Sequence, residues 1–331
     1  MLDDDQTNVI DVEVIEQPLT QKKVGILYIC TGKYSVFWGR FYKSFEKNFL
    51  PGYEKHYFVF TDKPVDKLGS DRVKNIYQKN LPWPGPTLSR FDMFLRVQDS
   101  FADMDYLFFL NSNLVCAKEV TDVILPDEGQ ICAPLHAQFC RVDETSGVMS
   151  AIGGPHDTNP ESSAYIPNAG SVDYIMGGVN GGHTKDYLDM CRECSHNVSI
   201  DAERGVVALR HDESHLNRYA LAHPVKKLSP KYLYPEGWDI PFDAHIICLD
   251  KEAYGGHSYM RSVVPFAYEK CSQYAYRYTN NDMHHYLESK AIVTARQSTT
   301  RRVYDGYHTN ANGDVVGNPP FYHKKDFELS R

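Results

Sequence analysis

Asp212 and Glu213 are adjacent carboxylates in the run HDESHLNRY, at the start of a segment with helical spacing. A carboxylate beneath an anomeric carbon stabilises oxocarbenium charge or attacks as a nucleophile, and its neighbour can hold sugar hydroxyls. The helix dipole also favours acids at a helix start, so the pair has a plain structural reading too. Asn111 and Asn113 form Asn-Ser-Asn after an apolar run. A carboxylate pair at such a place would hold a divalent cation against a diphosphate. Amide carbonyls can ligate Mg²⁺ or Mn²⁺ but bring no charge, so affinity falls. Asn equally suits a strand-to-loop turn. Lys251, His257 and Arg261 are a basic group near one another in sequence. They offer either a cationic closure over a diphosphate or a solvated basic patch.

The elements that must position these residues alternate. Residues 24–31 (VGILYICT), 56–60 (HYFVF) and 105–110 (DYLFFL) are apolar runs of the kind that form strands covered on both faces. Phe37, Phe41, Phe45 and Phe49 recur every four residues and predict one helix stripe, ended by Pro51-Gly52. Residues 88–101 predict a second helix, and 73–77 a short strand. This alternation predicts an α/β fold with a mostly parallel central sheet, flanked by helices. Ligands then bind beyond the carboxyl ends of the strands, at residues 31–34, 61–62 and 111–113. The run IMGGVNGG at 175–182 has two Gly pairs, which bring backbone close to a ligand or bend it tightly. Asp212 or Ser214 is the expected helix cap near 214.

Composition narrows the function. Net charge is −8, which disfavours a nucleic-acid partner, although a local basic cluster can still hold a small anion. Aromatics make up 13%, with 23 Tyr, enough both to fill a core and to stack on flat ligands. Residues 1–17 are acidic, with no apolar run, so neither a signal peptide nor a transmembrane segment is expected and the reading is cytoplasmic. The eight Cys then stay reduced, and Cys191-x-x-Cys194 is two small residues on a helix face. The expected organisation is a flexible 1–22, a catalytic domain at 23–262 and a polar, partly helical extension at 263–331.

The segments YICTGKYSVFWGRFY, HYFVFTD, WPGPTLSRFDMF, DYLFFLNSN, YIMGGVNGG, HDESHLNRY, LSPKYLYPEGW and YGGH follow one another in order. In this order the chain resembles the family 6 glycosyltransferases, the histo-blood-group A and B transferases and their bacterial relatives, over about residues 23–262. It looks most like the bacterial branch, with Asn-x-Asn in place of Asp-x-Asp. The resemblance implies a GT-A fold, a UDP-sugar donor and a glycan acceptor. It implies retaining transfer of GalNAc, or of Gal as the alternative, to the 3-hydroxyl of a galactose-type acceptor. No divalent metal is expected. Ile29, Cys30, Thr31 and Tyr34 match the nucleoside pocket. Arg90, Asn111, Asn113 and Asp212 match contacts to the donor sugar and diphosphate. Met176, Gly177 and Gly178 match the segment that discriminates the donor's 2-substituent, where Gly at 178 goes with an acetamido group. His136 matches an acceptor-binding histidine and Glu213 the catalytic carboxylate, which also borders the acceptor. Arg261 matches an arginine that closes over the diphosphate, with Lys251 near its companion lysine. Arg210 stands where the family usually has an acceptor-packing Trp, which unsettles the acceptor. A non-catalytic glycan-binding protein on the same fold is the rival from another class; it would need neither HDES nor the basic residues at 251–261.

Overall fold

The structure is a computed structural model that describes residues 21–142, 149–151, 153–238 and 243–262. The expected N-terminal segment, all but its last two residues, and the 263–331 extension lie outside the described residues. The strands are β1 (Lys23–Ile29), β2 (Glu54–Thr61), β3 (Val73–Tyr77), β4 (Tyr106–Leu110), β5 (Leu114–Cys116), β6 (Ile131–Pro134), β7 (Cys140–Val142), β8 (Met149–Ala151), β9 (Val179–His183), β10 (Val225–Leu228), β11 (Tyr234–Pro235) and β12 (Ile246–Cys248). The helices are α1 (Trp38–Asn48), α2 (Gly85–Leu88), α3 (Arg90–Leu95), α4 (Thr184–Arg204), α5 (Asp212–Ala222) and α6 (Gly256–Arg261).

Seven strands form the central sheet in the order β10-β6-β9-β4-β1-β2-β3. It is a mostly parallel sheet within an α/β fold, as the sequence predicts. β1 pairs in parallel with β2 and β4, while β9 runs antiparallel to both β4 and β6. The first three apolar runs therefore form the parallel strands that their continuous hydrophobicity predicts. The antiparallel β9 arises from the glycine-rich run. At Gly181 a Cβ would come within 2.3 Å of Phe108, so only glycine lets β9 lie against the aromatic face of β4.

Two apolar clusters fill the two faces of the sheet. On one, Phe41, Phe45 and Phe49 of the α1 region pack on Tyr28, Tyr57 and Phe108. On the other, Phe58, Phe91, Phe94 and Leu107 meet Tyr187, Met190 and Cys194 of α4. Cys191 and Cys194 lie buried on that helix, as the spacing predicts, and both thiols are pushed up by burial. Among the described residues, no helix is long and apolar enough to cross a membrane.

Three local expectations are corrected. The helix expected over 88–101 is α2 and α3 followed by a 3-10 turn at Gln98–Phe101, broken at Ser89, whose N–H bonds back to Gly85. Phe37 does not belong to the α1 stripe: it closes a 3-10 turn, Gly32–Phe37, and packs on Leu249 and Met260 in a separate small cluster. Neither Asp212 nor Ser214 caps α5. The cap position is His211, and the Ser214 hydroxyl accepts from the Arg210 N–H, one residue further out.

Candidate active site

The sheet delivers Asn111–Asn113 from the end of β4 and Gly177-Gly178 from just before β9. The two segments are joined where Asn111 N–H donates to Gly178 C=O at 2.9 Å. Above them α5 begins abruptly. His211 takes φ 53° and ψ −125°, a conformation that costs a non-glycine residue about 1–3 kcal/mol and persists only where the surroundings force it. The turn places Asp212 and Glu213 in the first turn of α5, facing the 174–177 segment. Asn217, one helical turn later, stitches the two together. Its side chain accepts from Ile175 N–H at 3.0 Å and donates to Ile175 C=O and Glu213 C=O, both at 2.9 Å.

Glu213 is held at both oxygens. Gly177 N–H donates to Oε2 at 2.7 Å, and the Tyr174 hydroxyl donates to Oε1. The Gly177 carbonyl is also used, accepting from Arg90 Nη1 and Asn180 Nδ2, each at 2.8 Å. Arg90 is 2% exposed, and the same Nη1 lies 2.8 Å from Asp212 Oδ2. Its guanidinium stands over the rings of Phe91 and Phe109. Burial pushes the Asp212 carboxyl up to about 6; Arg90 opposes this and Glu213 adds to it. His136 borders the same place, its ring 4.9 Å from Phe139 and 5.9 Å from Tyr174. Burial and the Arg210 charge push its imidazole down to about 3, so it is neutral.

A second group of residues gathers around Tyr34 and Trp83. Arg261 lies 3.6 Å from the Trp83 ring centroid, and Trp83 stands edge-on to His211 at 5.2 Å. Burial pushes the Tyr34 phenol up, and the neighbouring Arg261 opposes this. Lys251 Nζ is 5.5 Å from the Tyr34 ring, and burial, together with Arg261, pushes its ammonium down to about 8. His257 falls to about 3 by burial beside those two cations. The cations are thus brought to Tyr34, and His211 links them to the carboxylates.

Several residues sit differently from their sequence reading. Cys30 is fully buried, with its thiol pushed up to about 12 by burial, so its side chain faces core. Met176 is buried in the main core cluster and Ile29 packs on the other. Asn113 is 2% exposed, and both of its amide hydrogens are spent, on Leu249 C=O at 2.8 Å and Cys248 Sγ at 3.2 Å. It braces the chain that leads into Lys251. At Gly178 a Cβ would meet Asn111 Nδ2 at 2.8 Å and Leu233 at 3.0 Å. The first demand on that glycine is therefore close packing against protein. Tyr174, Asn180, Asn217 and Trp83 are not singled out by the sequence, and Lys33 is marked only as part of the 31–34 strand end. Tyr174 and Asn217 stand three residues before Gly177 and four after Glu213, and only the fold brings those stretches together.

The acid pair of α5 and the cations near Tyr34 both lie beside the strand ends, and comparison with known proteins says what such a site belongs to. The sequence profile described as Glycosyltransferase family 6 matches residues 7–253. The chain belongs to glycosyltransferase family 6. It is accordingly a glycosyltransferase, working on a nucleotide-sugar donor and a glycan acceptor. It is 32% identical over 232 residues to the O-antigen biosynthesis glycosyltransferase WbnI of Escherichia coli, covering 69% of this chain and 95% of WbnI. It is 30% identical to the globoside alpha-1,3-N-acetylgalactosaminyltransferase 1 of Gallus gallus, over 64% of this chain and 62% of that protein. With the histo-blood group ABO system transferase 1 of Rattus norvegicus the identity is 29%, over 69% and 66% of the two chains.

In this family 6 chain, α6 is seated by the turn that follows β1. Phe37, Leu249 and Met260 form its apolar seat, and Phe37 lies 4.5 Å from the Tyr254 ring. Lys33 Nζ donates to Tyr259 C=O at 3.0 Å and Ser262 C=O at 3.1 Å, and its charge covers the Tyr259 ring at 4.2 Å. These carbonyls end a helix, where a cation is favoured. Lys33→Met should raise the donor KM roughly three- to tenfold, the size of one such terminal charge, with kcat much less affected. Initial rates across donor concentration check this; an unchanged KM would mean that Lys33 does not hold α6.

Proposed function

We propose that this enzyme transfers GalNAc from UDP-GalNAc to the 3-hydroxyl of a galactose-type acceptor, with retention and without a divalent metal ion. UDP-galactose is the alternative donor. The observation that carries the reading is the convergence of Tyr34, Lys251 and Arg261 at the strand ends, across His211 from the Asp212–Glu213 pair. In this reading Tyr34 stacks on uracil, and Thr31 and the 29–30 backbone line the nucleoside pocket. Arg90 and Asp212 hold the sugar, and Glu213 lies under the anomeric carbon. Lys251 and Arg261 neutralise the departing UDP, as a metal otherwise would.

The fit to a metal is poor. Asn111 and Asn113 bring no charge to a cation, and among the described residues no group of three or more His, Cys, Asp or Glu could hold one; the Asn113 NH₂ itself donates to Leu249 C=O and Cys248 Sγ. A carboxylate at 113 cannot donate to Leu249 C=O. Asn113→Asp should therefore lower kcat/KM by about tenfold, the effect of one lost buried hydrogen bond, and added Mn²⁺ should not restore it. The direct test is UDP release from UDP-GalNAc and from UDP-Gal, with and without EDTA. Loss of most turnover in EDTA would overturn metal independence. A faster rate with UDP-Gal would overturn the donor.

A further inference from the structure

Arg210 is a cation with no counter-charge, in the part of the site that the proposed transfer leaves to the acceptor. Its backbone is fixed: its N–H donates to Ser214 Oγ at 2.9 Å, and its C=O accepts from Glu213 N–H at 3.0 Å. Its charge is felt by His136, Tyr174 and His211, the residues that surround Glu213. The Arg210 Nε is buried and has no hydrogen-bond partner. Among the described residues no carboxylate forms an ion pair with it. Of the two acids that follow it in sequence, Asp212 pairs with Arg90, and Glu213 has both oxygens engaged by Gly177 and Tyr174.

Arg210 is half-buried, and its partnerless Nε, beside neutral imidazoles and a phenol, is best completed by an anionic acceptor atom. The planar guanidinium fork matches a carboxylate or a phosphate, each able to take two parallel hydrogen bonds. His136 supplies a neutral polar ring beside it, suited to a sugar hydroxyl. A neutral galactoside would leave the cation unmatched.

We propose that the acceptor of this enzyme is an anionic galactose-type sugar, whose carboxylate or phosphate pairs with Arg210 next to the hydroxyl that is glycosylated. The proposal rests on the transferase reading above. It sets the substrate class: an acidic glycan, with the charge on or adjoining the accepting residue.

The experiment uses the full chain with UDP-GalNAc and three acceptors: a methyl galactoside, the matched galacturonoside and the matched galactoside 6-phosphate. UDP release without acceptor is measured in parallel. One of the anionic acceptors should exceed the neutral one in kcat/KM by about tenfold or more, the range of a charge-assisted pair. The better of the two says whether carboxylate or phosphate is the partner. In Arg210→Gln the anionic advantage should collapse to near unity, while Arg210→Lys should keep part of it. Equal or better use of the neutral galactoside by wild type overturns the inference, as does an anionic preference that survives in Arg210→Gln. Should Arg210→Gln not fold, competition on wild type decides: free galacturonate or galactose 6-phosphate must inhibit better than free galactose. If UDP is released from donor but anionic acceptors gain nothing, this inference alone fails. If no UDP-sugar yields UDP under any condition, the transferase reading fails and takes this inference with it.

Discussion

Glu213→Gln should lower transfer by about 10³-fold or more, with the fold intact, because it removes charge at the reacting centre and little else. The surroundings make this an unusually clean substitution. Both oxygens of Glu213 now receive donors, a backbone N–H from Gly177 and a hydroxyl from Tyr174. An amide must turn its nitrogen toward one of them. The Gly177 N–H cannot accept, but the Tyr174 hydroxyl can rotate and do so. Gln therefore settles with its carbonyl on Gly177 and its NH₂ on Tyr174, in the place of the original side chain. Transfer rates under saturating donor and acceptor measure the loss, and thermal unfolding checks the fold. A near-normal rate would remove Glu213 from the mechanism.

Lys251→Met should lower kcat/KM by about 10²-fold, the usual cost of one preorganised charge on a leaving group, and it should also change the shape of the pH profile. Asp212 is charged only above about 6, so activity that needs its carboxylate falls as pH drops through that value. Lys251 is charged only below about 8, so activity that needs its ammonium falls as pH rises through that value. Wild-type kcat/KM, which reports the free enzyme, should be bell-shaped between these limbs. In Lys251→Met the alkaline limb near 8 should vanish while the acid limb stays. His257 is neutral through this range, so it does not replace the lost limb. An alkaline limb unchanged in the variant would assign it to another group.

Much of the sheet was legible because its parallel strands are buried on both faces and so spell continuous apolar runs. The carboxylate pair and the cations were legible as residue types. What was not legible was how they are held. Tyr174 looks like one of many tyrosines until the fold sets its hydroxyl on Glu213. Asn217 looks like a helix-surface amide until its side chain is seen to pair with Ile175 as a strand would. Asn113 shows in sequence only the charge it lacks; that its NH₂ braces Leu249 and Cys248 is visible only in the fold. Helix 88–101 was overextended because apolar spacing continues through Ser89, where backbone geometry does not. Phe37 fell into the α1 stripe for the same reason.

Phe37 gives that last point a thermodynamic side. The turn bearing Tyr34 and the helix bearing Arg261 share one small apolar seat made by Phe37, Leu249 and Met260. If Tyr34 and Arg261 hold the nucleotide as proposed, seating the helix and binding the nucleotide are coupled equilibria, and coupling is reciprocal. Whatever steadies the seat tightens the nucleotide, and the nucleotide in turn protects the seat from opening. Met260 is 3% exposed, buried beneath the helix rather than open to a ligand. In the proposed reading it nonetheless helps to set nucleotide affinity, through the fraction of molecules in which Arg261 is already in place.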